Sequence, residues 1–327
     1  MFLSKKLLKQ ERFYGITSEG DYTNVYMSMD LSNWTKISSI SKDLASYASK
    51  LKRVNGKYFL LYSATPNNFA GKKLVYSDDL VNWTTIQISA SGGAWRDIIY
   101  ANGKYILTSV PLVVTTSTTL AAKILYSSDL VNWYEGTTST NGGVSLDTNG
   151  SNQFAQTTLN WRAGYSTNGI IYTSITSYSG AYGRCVCYGD GNFLITLQQE
   201  LSTSGTTGTP TNLCLRSTNG GQSYSTYTLP ITANWAGAIY TGSRFVIMRD
   251  PTYGNYNQYC YGTFSGFSTG TLPNSRRWSG NQITYNNGRM FITAYDSSAG
   301  KTYIAESKDG ITWTEHETSG LNITYIH

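Results

Sequence analysis

Six short groups of residues carry a serine, a carboxylate or amide two positions later, and an aromatic four or five positions after that. They are Ser28, Asp30 and Trp34; Ser77, Asp79 and Trp83; Ser127, Asp129 and Trp133; Ser166, Asn168 and Tyr172; Ser217, Asn219 and Tyr224; and Ser307, Asp309 and Trp313. Aspartates in such sets could hold a cation or exchange protons with a substrate. A catalytic group has no reason to recur six times at even spacing. Asp and Asn side chains also accept hydrogen bonds from backbone N–H groups two residues on, which closes a tight turn. The groups therefore read as repeated hairpin corners, each capped by a large ring that packs on a neighbouring sheet.

A second set pairs rings with guanidinium groups. Trp95 precedes Arg96, Tyr182 lies two before Arg184, Arg277 precedes Trp278, and Trp235 stands alone. Ring faces stack on sugars, and arginines pair with carboxylates or phosphates. These residues are the expected ligand-binding positions, gathered at one mouth of a channel. The competing expectation is that the rings only pack between sheets. Counted from the following corner, Trp95 and Trp235 share a register, whereas Trp278 and Tyr182 do not.

Other chemistry is sparse. Outside the turn groups, the acids near inner strands are Asp97, Asp147, Asp190 and Asp250. A glycosidase needs two facing carboxylates, and Asp97 has no evident partner. Only two histidines exist, His316 and His327, so neither a Ser/His/Asp triad nor a histidine metal site can be assembled. Cys185, Cys187, Cys214 and Cys260 lack zinc spacing and are expected as free thiols. No catalytic residue, metal or cofactor is expected. The net charge of +6 is spread along the chain, and no nucleic-acid signature accompanies it. No stretch reaches membrane-spanning length, and the start lacks a long apolar core, so neither membrane insertion nor a signal peptide is expected.

These residues sit on a regular framework. Asn55-Gly56, Asn102-Gly103, Asp190-Gly191 and Asn287-Gly288 each separate two apolar runs, the strongest short-range signal for a β-hairpin. Helical apolar stripes are missing, and Tyr, Thr, Ser, Asn and Gly dominate. The corner aromatics run from Trp34 to Trp313, with Phe267 as a degenerate copy in the one double-length gap. That distance of 279 residues covers six intervals of 46.5 each, and seven such units match a chain of 327. Four short strands per unit of this length describe a β-propeller. The expectation is an all-β, seven-bladed propeller in one domain over 1–327, with six blades as the alternative. Residues 321–326 alternate like a strand and should pair with the first blade to close the ring. Polar loops are expected at 65–71, 111–122 and 200–211.

The segments SKDGITW and STNGGQSY resemble the Asp-box of sialidase-like (BNR-repeat) propellers, and YSDDLVNW and YSSDLVNW look like the matching turns of five-bladed glycosidases. The resemblance runs through the chain as repeats and implies a structural corner. The Arg-Ile-Pro strand of sialidases and the early Asn-Asp-Pro nucleophile of the five-bladed enzymes are both absent. The Tyr/Gly/Ser/Thr-rich composition also resembles bacteriophage tail-fibre, receptor-binding and decoration propellers. That likeness implies a non-enzymatic binding or assembly module in a virion, partnered by other virion proteins or a bacterial surface glycan. The alternatives are a diverged glycoside hydrolase and a host-cell scaffold for protein partners.

Overall fold

The computed structural model describes residues 11–41, 48–62, 71–92, 94–110, 112–115, 118–120, 122–138, 143–157, 162–176, 181–199, 210–251 and 257–327. They form seven sheets that are the blades of a propeller, antiparallel but for one strand of blade 4, together with a separate two-stranded hairpin of Leu112–Thr115 and Thr118–Leu120 and one 3₁₀ turn at Gly280–Gln282. From the channel outward, blade 2 is Ala48–Val54, Lys57–Tyr62, Gly71–Ser77 and Trp83–Gly92. Blade 3 is Ala94–Ala101, Lys104–Val110, Ile124–Ser127 and Tyr134–Glu135. Blade 4 is Ser145–Thr148, Phe154–Thr157, Arg162–Ser166 and Ile171–Thr176, and blade 5 is Ala181–Gly189, Asn192–Gln199, Thr211–Ser217 and Ser225–Ala233. Blade 6 is Trp235–Tyr240, Phe245–Arg249, Gln258–Thr263 and Gly266–Thr271. Blade 7 is Thr284–Asn286, Arg289–Asp296, Lys301–Ser307 and Thr314–Glu317.

Blade 1 is assembled from both ends of the chain. Its outer strands are Phe13–Glu19, Tyr22–Ser28 and Trp34–Ser41, and its innermost strand is Tyr325–Ile326. Ile16 pairs with Tyr325 and Gly15 with Ile326. The edge that a linear array would leave open is thereby satisfied.

The inner hairpins turn where the Asn-Gly dipeptides stand. Asn55 and Gly56 have φ of 49° and 81°, Asn102 and Gly103 52° and 73°, and Asn287 and Gly288 49° and 77°. Two successive positive φ values make the turn whose twist matches its flanking strands, and Asn followed by Gly reaches it with least strain.

The apolar side chains lie between neighbouring blades. One cluster joins Phe59, Leu61 and Leu74 of blade 2 to Trp95, Ile98 and Leu107 of blade 3. Blade 4 departs from four strands: Thr137–Thr138 adds a short fifth, parallel to Ile171–Thr176. Of the three expected polar loops, 65–71 and 200–211 lie almost wholly outside the described residues, whereas 111–122 is largely a two-stranded antiparallel hairpin, Leu112–Thr115 with Thr118–Leu120, instead of an irregular loop.

Candidate functional site

The corner aspartates are taken up by the backbone. Asp30 Oδ1 accepts from the N–H of Ser32 at 3.0 Å and of Asn33 at 2.7 Å, and Oδ2 accepts from the Asn33 side chain at 2.8 Å. The Ser28 hydroxyl donates to Asp30 at 3.1 Å and accepts from the Leu31 N–H at 2.9 Å. Asp79 and Asp129 repeat the pattern, and the N–H and side-chain amide of Asn82 and of Asn132 hold their carboxyls well below the usual range. Asn168 accepts the same pair of backbone bonds with a neutral amide, from Ile170 at 2.8 Å and Ile171 at 3.0 Å. The corner therefore needs an acceptor and does not need a charge. Asn219 and Asp309 close their turns likewise.

The closing rings tie corners to neighbouring blades. Trp83 Nε1 donates to Ser38 of blade 1 at 3.0 Å, and Trp313 Nε1 donates to Tyr259 of blade 6 at 2.9 Å. Trp34 and Trp133 turn back and donate to the carbonyls of Leu31 and Leu130. Tyr172 is fully buried, and the Tyr224 hydroxyl is buried without a hydrogen-bond partner among the described residues.

The expected aromatic mouth does not form. Trp95, Trp235 and Trp278 are 0%, 0% and 1% exposed, each packed against the preceding blade. A ring with no accessible face cannot stack on a sugar. Trp235 Nε1 donates to the Thr211 carbonyl and Trp278 Nε1 to that of Pro273. Arg277 is exposed and does not line the channel. The Tyr182 side chain lies outside the described residues.

A feature of strand register separates the rings from the arginines beside them. In blade 3, Trp95 opposes Ser109 while Asp97 opposes Thr108, leaving Arg96 without an opposite residue. In blade 5, Gly183 opposes Leu197 and Val186 opposes Ile195, so Arg184 and Cys185 together face Thr196. Blades 2 and 6 slip at the equivalent place, at Ser49 and Ala236. Such bulges bend a strand and re-aim its side chains. In blade 7 the corresponding stretch is longer and contains the 3₁₀ turn, which explains the displaced register of Trp278.

The bulges open onto the central channel, a cavity of about 630 Å³. Five cations line it: Lys50, Lys52, Arg53, Arg96 and Arg184. Two carboxylates face them, Asp97 and Asp147. Asp97, 2% exposed, receives Lys52 at 2.6 Å and Lys50 at 3.3 Å from blade 2 and the Leu146 N–H of blade 4 at 3.0 Å. Burial would raise its carboxyl, but the two lysines outweigh that and hold it at about 2. Asp147 accepts from the N–H of Tyr188 of blade 5 at 2.6 Å and of Thr148 at 2.8 Å. Burial dominates there and pushes the carboxyl up to about 6. Ser145 extends the series, accepting from the Val186 N–H at 3.3 Å.

The arginines are engaged differently. Arg96 Nε is buried with no hydrogen-bond partner among the described residues. Burial and the neighbouring Arg184 charge bring its pKa down to about 10. No ion pair reaches Arg96 or Arg184 among the described residues. His327 also lines the channel, and burial followed by the Arg53 charge lowers it to about 4, so it is neutral at pH 7.

The sequence reading missed both channel acids as blade ties and missed the bulges; it did single out Arg96 and Arg184. All four cysteines are free. Among the described residues, no group of His, Cys, Asp and Glu could hold a metal, and no helix is long and apolar enough to cross a membrane.

No family model matches the chain, and no curated protein matches it. Solved structures do. Virginiamycin B lyase from Staphylococcus aureus superposes with a TM-score of 0.62 at 13% identity, over 85% of this chain and 86% of that one. A streptogramin B lyase gives 0.58 at 18% identity, over 95% and 84%. YCF48 bound to a D1 peptide gives 0.56 at 9% identity, over 93% and 86%. At these identities the likeness is one of fold.

Proposed function

We propose that this chain is a non-enzymatic binding and assembly propeller that engages its partner through the basic central channel. The supporting observation is how the channel groups are used. Asp97 and Asp147, the acids that would do chemistry, are saturated by lysines and backbone amides and bind blades 2 to 5 together. The arginines are left for a ligand. YCF48 shows a propeller of the same fold carrying a peptide, which supports a protein partner. The resemblance to phage particle propellers supports a narrower reading, in which the partner is another virion protein or an anionic bacterial surface glycan. The test is binding of the labelled chain to whole bacterial cells, surface glycans and purified phage particles. Retention on one of these is expected; binding to none of them overturns the reading.

A glycoside hydrolase is the second reading, and one observation favours it. Asp97 and Asp147 line one cavity with acidities pushed apart, the arrangement that separates an ionised carboxylate from a proton donor. Asp97 is nonetheless closed off by two ammonium groups and two backbone N–H groups. Turnover of a chromogenic glycoside, abolished by Asp147→Asn, would establish this reading in place of the first.

A further inference from the structure

We propose that Arg96 and Arg184 form a clamp for a phosphate-type dianion within the channel, a proposal that rests on reading the channel as the binding site. Both residues sit in bulges of innermost strands, two blades apart, and both face the same cavity. A bulge replaces a paired residue with an unpaired one and turns its side chain away from the ladder. The equivalent bulges of blades 2 and 6 carry Ser49 and Ala236, so a large cation at this place is specific to blades 3 and 5.

The buried Arg96 Nε has no acceptor among the described residues. Buried donors are nearly always satisfied, and leaving one unmet is costly. The other cations are not equivalent to it: Lys50 and Lys52 already hold Asp97, and Arg53 is exposed with its guanidinium 5.3 Å from the Tyr58 ring centre. Two like charges held near each other in a confined space are stabilised by an anion between them. Blade 6 lines the cavity with three small residues in succession, Ala236, Gly237 and Ala238, before the larger Ile239 and Tyr240, and room for the anion lies against the small ones. The 3₁₀ turn of blade 7 adds the amides of Asn281 and Gln282 to the same wall.

The charge count selects the ligand class. Five cations face two carboxylates, one of them Asp147, so the lining carries an excess of about three positive charges. A carboxylate offers two oxygens and one charge. A phosphate group offers oxygens enough for two guanidinium forks and about two charges. Arginine is suited to this geometry because its planar fork donates in pairs.

Isothermal titration at low salt tests the clamp, with inorganic phosphate, glycerol phosphate, acetate and glucuronate as probes. Phosphate is expected to bind one to one and to weaken as salt rises. Arg96→Gln and Arg184→Gln should each reduce affinity about tenfold or more, and the double variant should lose binding. Arg96→Lys and Arg184→Lys keep the charge, guard against loss of fold, and should still bind more weakly than the parent. Preferential binding of inorganic phosphate marks a free-ion site; equal or tighter binding of glycerol phosphate marks a group borne on a larger ligand. Both support the clamp. Absence of phosphate binding, acetate or glucuronate binding as tightly as phosphate, or undiminished binding by folded glutamine variants would each overturn it. Phosphate binding by a chain that ignores cells, glycans and particles would leave the clamp standing and remove only the assembly reading.

Discussion

Leu80 of blade 2 and Gly310 of blade 7 occupy the same corner position with the same left-handed backbone, φ 66° and 73°. Leu31 and Leu130 share it at 67° and 64°, and Gly169 at 72°. A left-handed leucine is strained by about 1–2 kcal/mol, whereas glycine is not. The side chain offsets the strain. Leu80 is 1% exposed among Ile16, Val25 and Ile40 of blade 1, and Leu130 packs with Phe59 and Leu74 of blade 2. Where glycine stands, the preceding blade fills the space instead. A Cβ on Gly310 would meet Val246 Cγ2 at 2.7 Å, and one on Gly169 would meet Ile106 Cδ1 at 2.2 Å. Each corner thus joins its blade to the one before it, with the interlocking group drawn from either side.

Exchanging these residues should expose the two contributions. Leu130→Gly removes a buried side chain, a loss of about 2–5 kcal/mol, and relieves about 1–2 kcal/mol of backbone strain. The difference is about 0–4 kcal/mol, and a net destabilisation of about 2 kcal/mol is expected by urea denaturation. Gly310→Ala gains strain and crowds Val246, so it should also destabilise, by about 1–3 kcal/mol. A stabilised Gly310→Ala would show that the blade 6 contact yields freely.

The corner aromatics should differ by burial and not by motif. Trp133 is 9% exposed and within the core joining blades 2 and 3, so Trp133→Ala should cost about 3–5 kcal/mol. Trp83 is half-buried, and its bond to Ser38 crosses to blade 1. Trp83→Ala should cost less, about 1–3 kcal/mol. Phe267, whose turn lacks the Ser and Asp, packs on Tyr227 at 5.5 Å and on Phe264 at 5.8 Å, and its replacement by Ala should cost about 1–2 kcal/mol. Equal losses at all three positions would refute this ordering.

The blades were legible in the sequence because each corner has a local chemical requirement. Asn102-Gly103 meets the need for two positive φ values within the dipeptide itself, and Asp129 closes its turn with groups two and three residues away. The channel was not legible for the opposite reason. Whether Arg96 enters the ladder or bulges out depends on which residues of Lys104–Val110 stand opposite, and no local signal records that. Trp95 shows the same limit: a tryptophan opening an inner strand has one composition whether its face is free or buried. Asp97 gained its partners from residues 47 and 45 positions earlier and an amide 49 later, beyond any spacing rule.

The thiols should report the packing of blades 5 and 6. Cys185 is half-buried in the channel wall, and Cys187, Cys214 and Cys260 are buried. Burial pushes the last two up to about 12. Only a thiolate alkylates at a useful rate. At pH 8, native protein should label slowly at Cys185 and negligibly at the other three, and denatured protein should label at all four. Rapid native labelling of Cys214 or Cys260, read by mass spectrometry, would contradict this packing.

Asp147 makes stability depend on pH with a definite sign. Its carboxyl rises from an ordinary 3.8 to about 6 in the folded chain, chiefly through burial. Between those values the folded chain holds a proton that the unfolded chain has released, so stability falls as pH rises from about 4 to 6. Above that window both states are ionised and the loss is complete. Asparagine does not titrate, and Asp147→Asn also alters the bonds from Tyr188 and Thr148, but that change shifts stability by an amount that barely varies with pH. The difference between variant and parent should therefore move in favour of the variant by about 1–3 kcal/mol from pH 4 to pH 7. Asp97, held low by its lysines, contributes the opposite slope only below about pH 4, outside this interval. Urea denaturation of both proteins at pH 4, 5, 6 and 7 measures the difference directly. A difference that stays flat across the series would mean that Asp147 ionises in the channel as it does in water, and that the cavity wall around it is wetter than its two short backbone bonds imply.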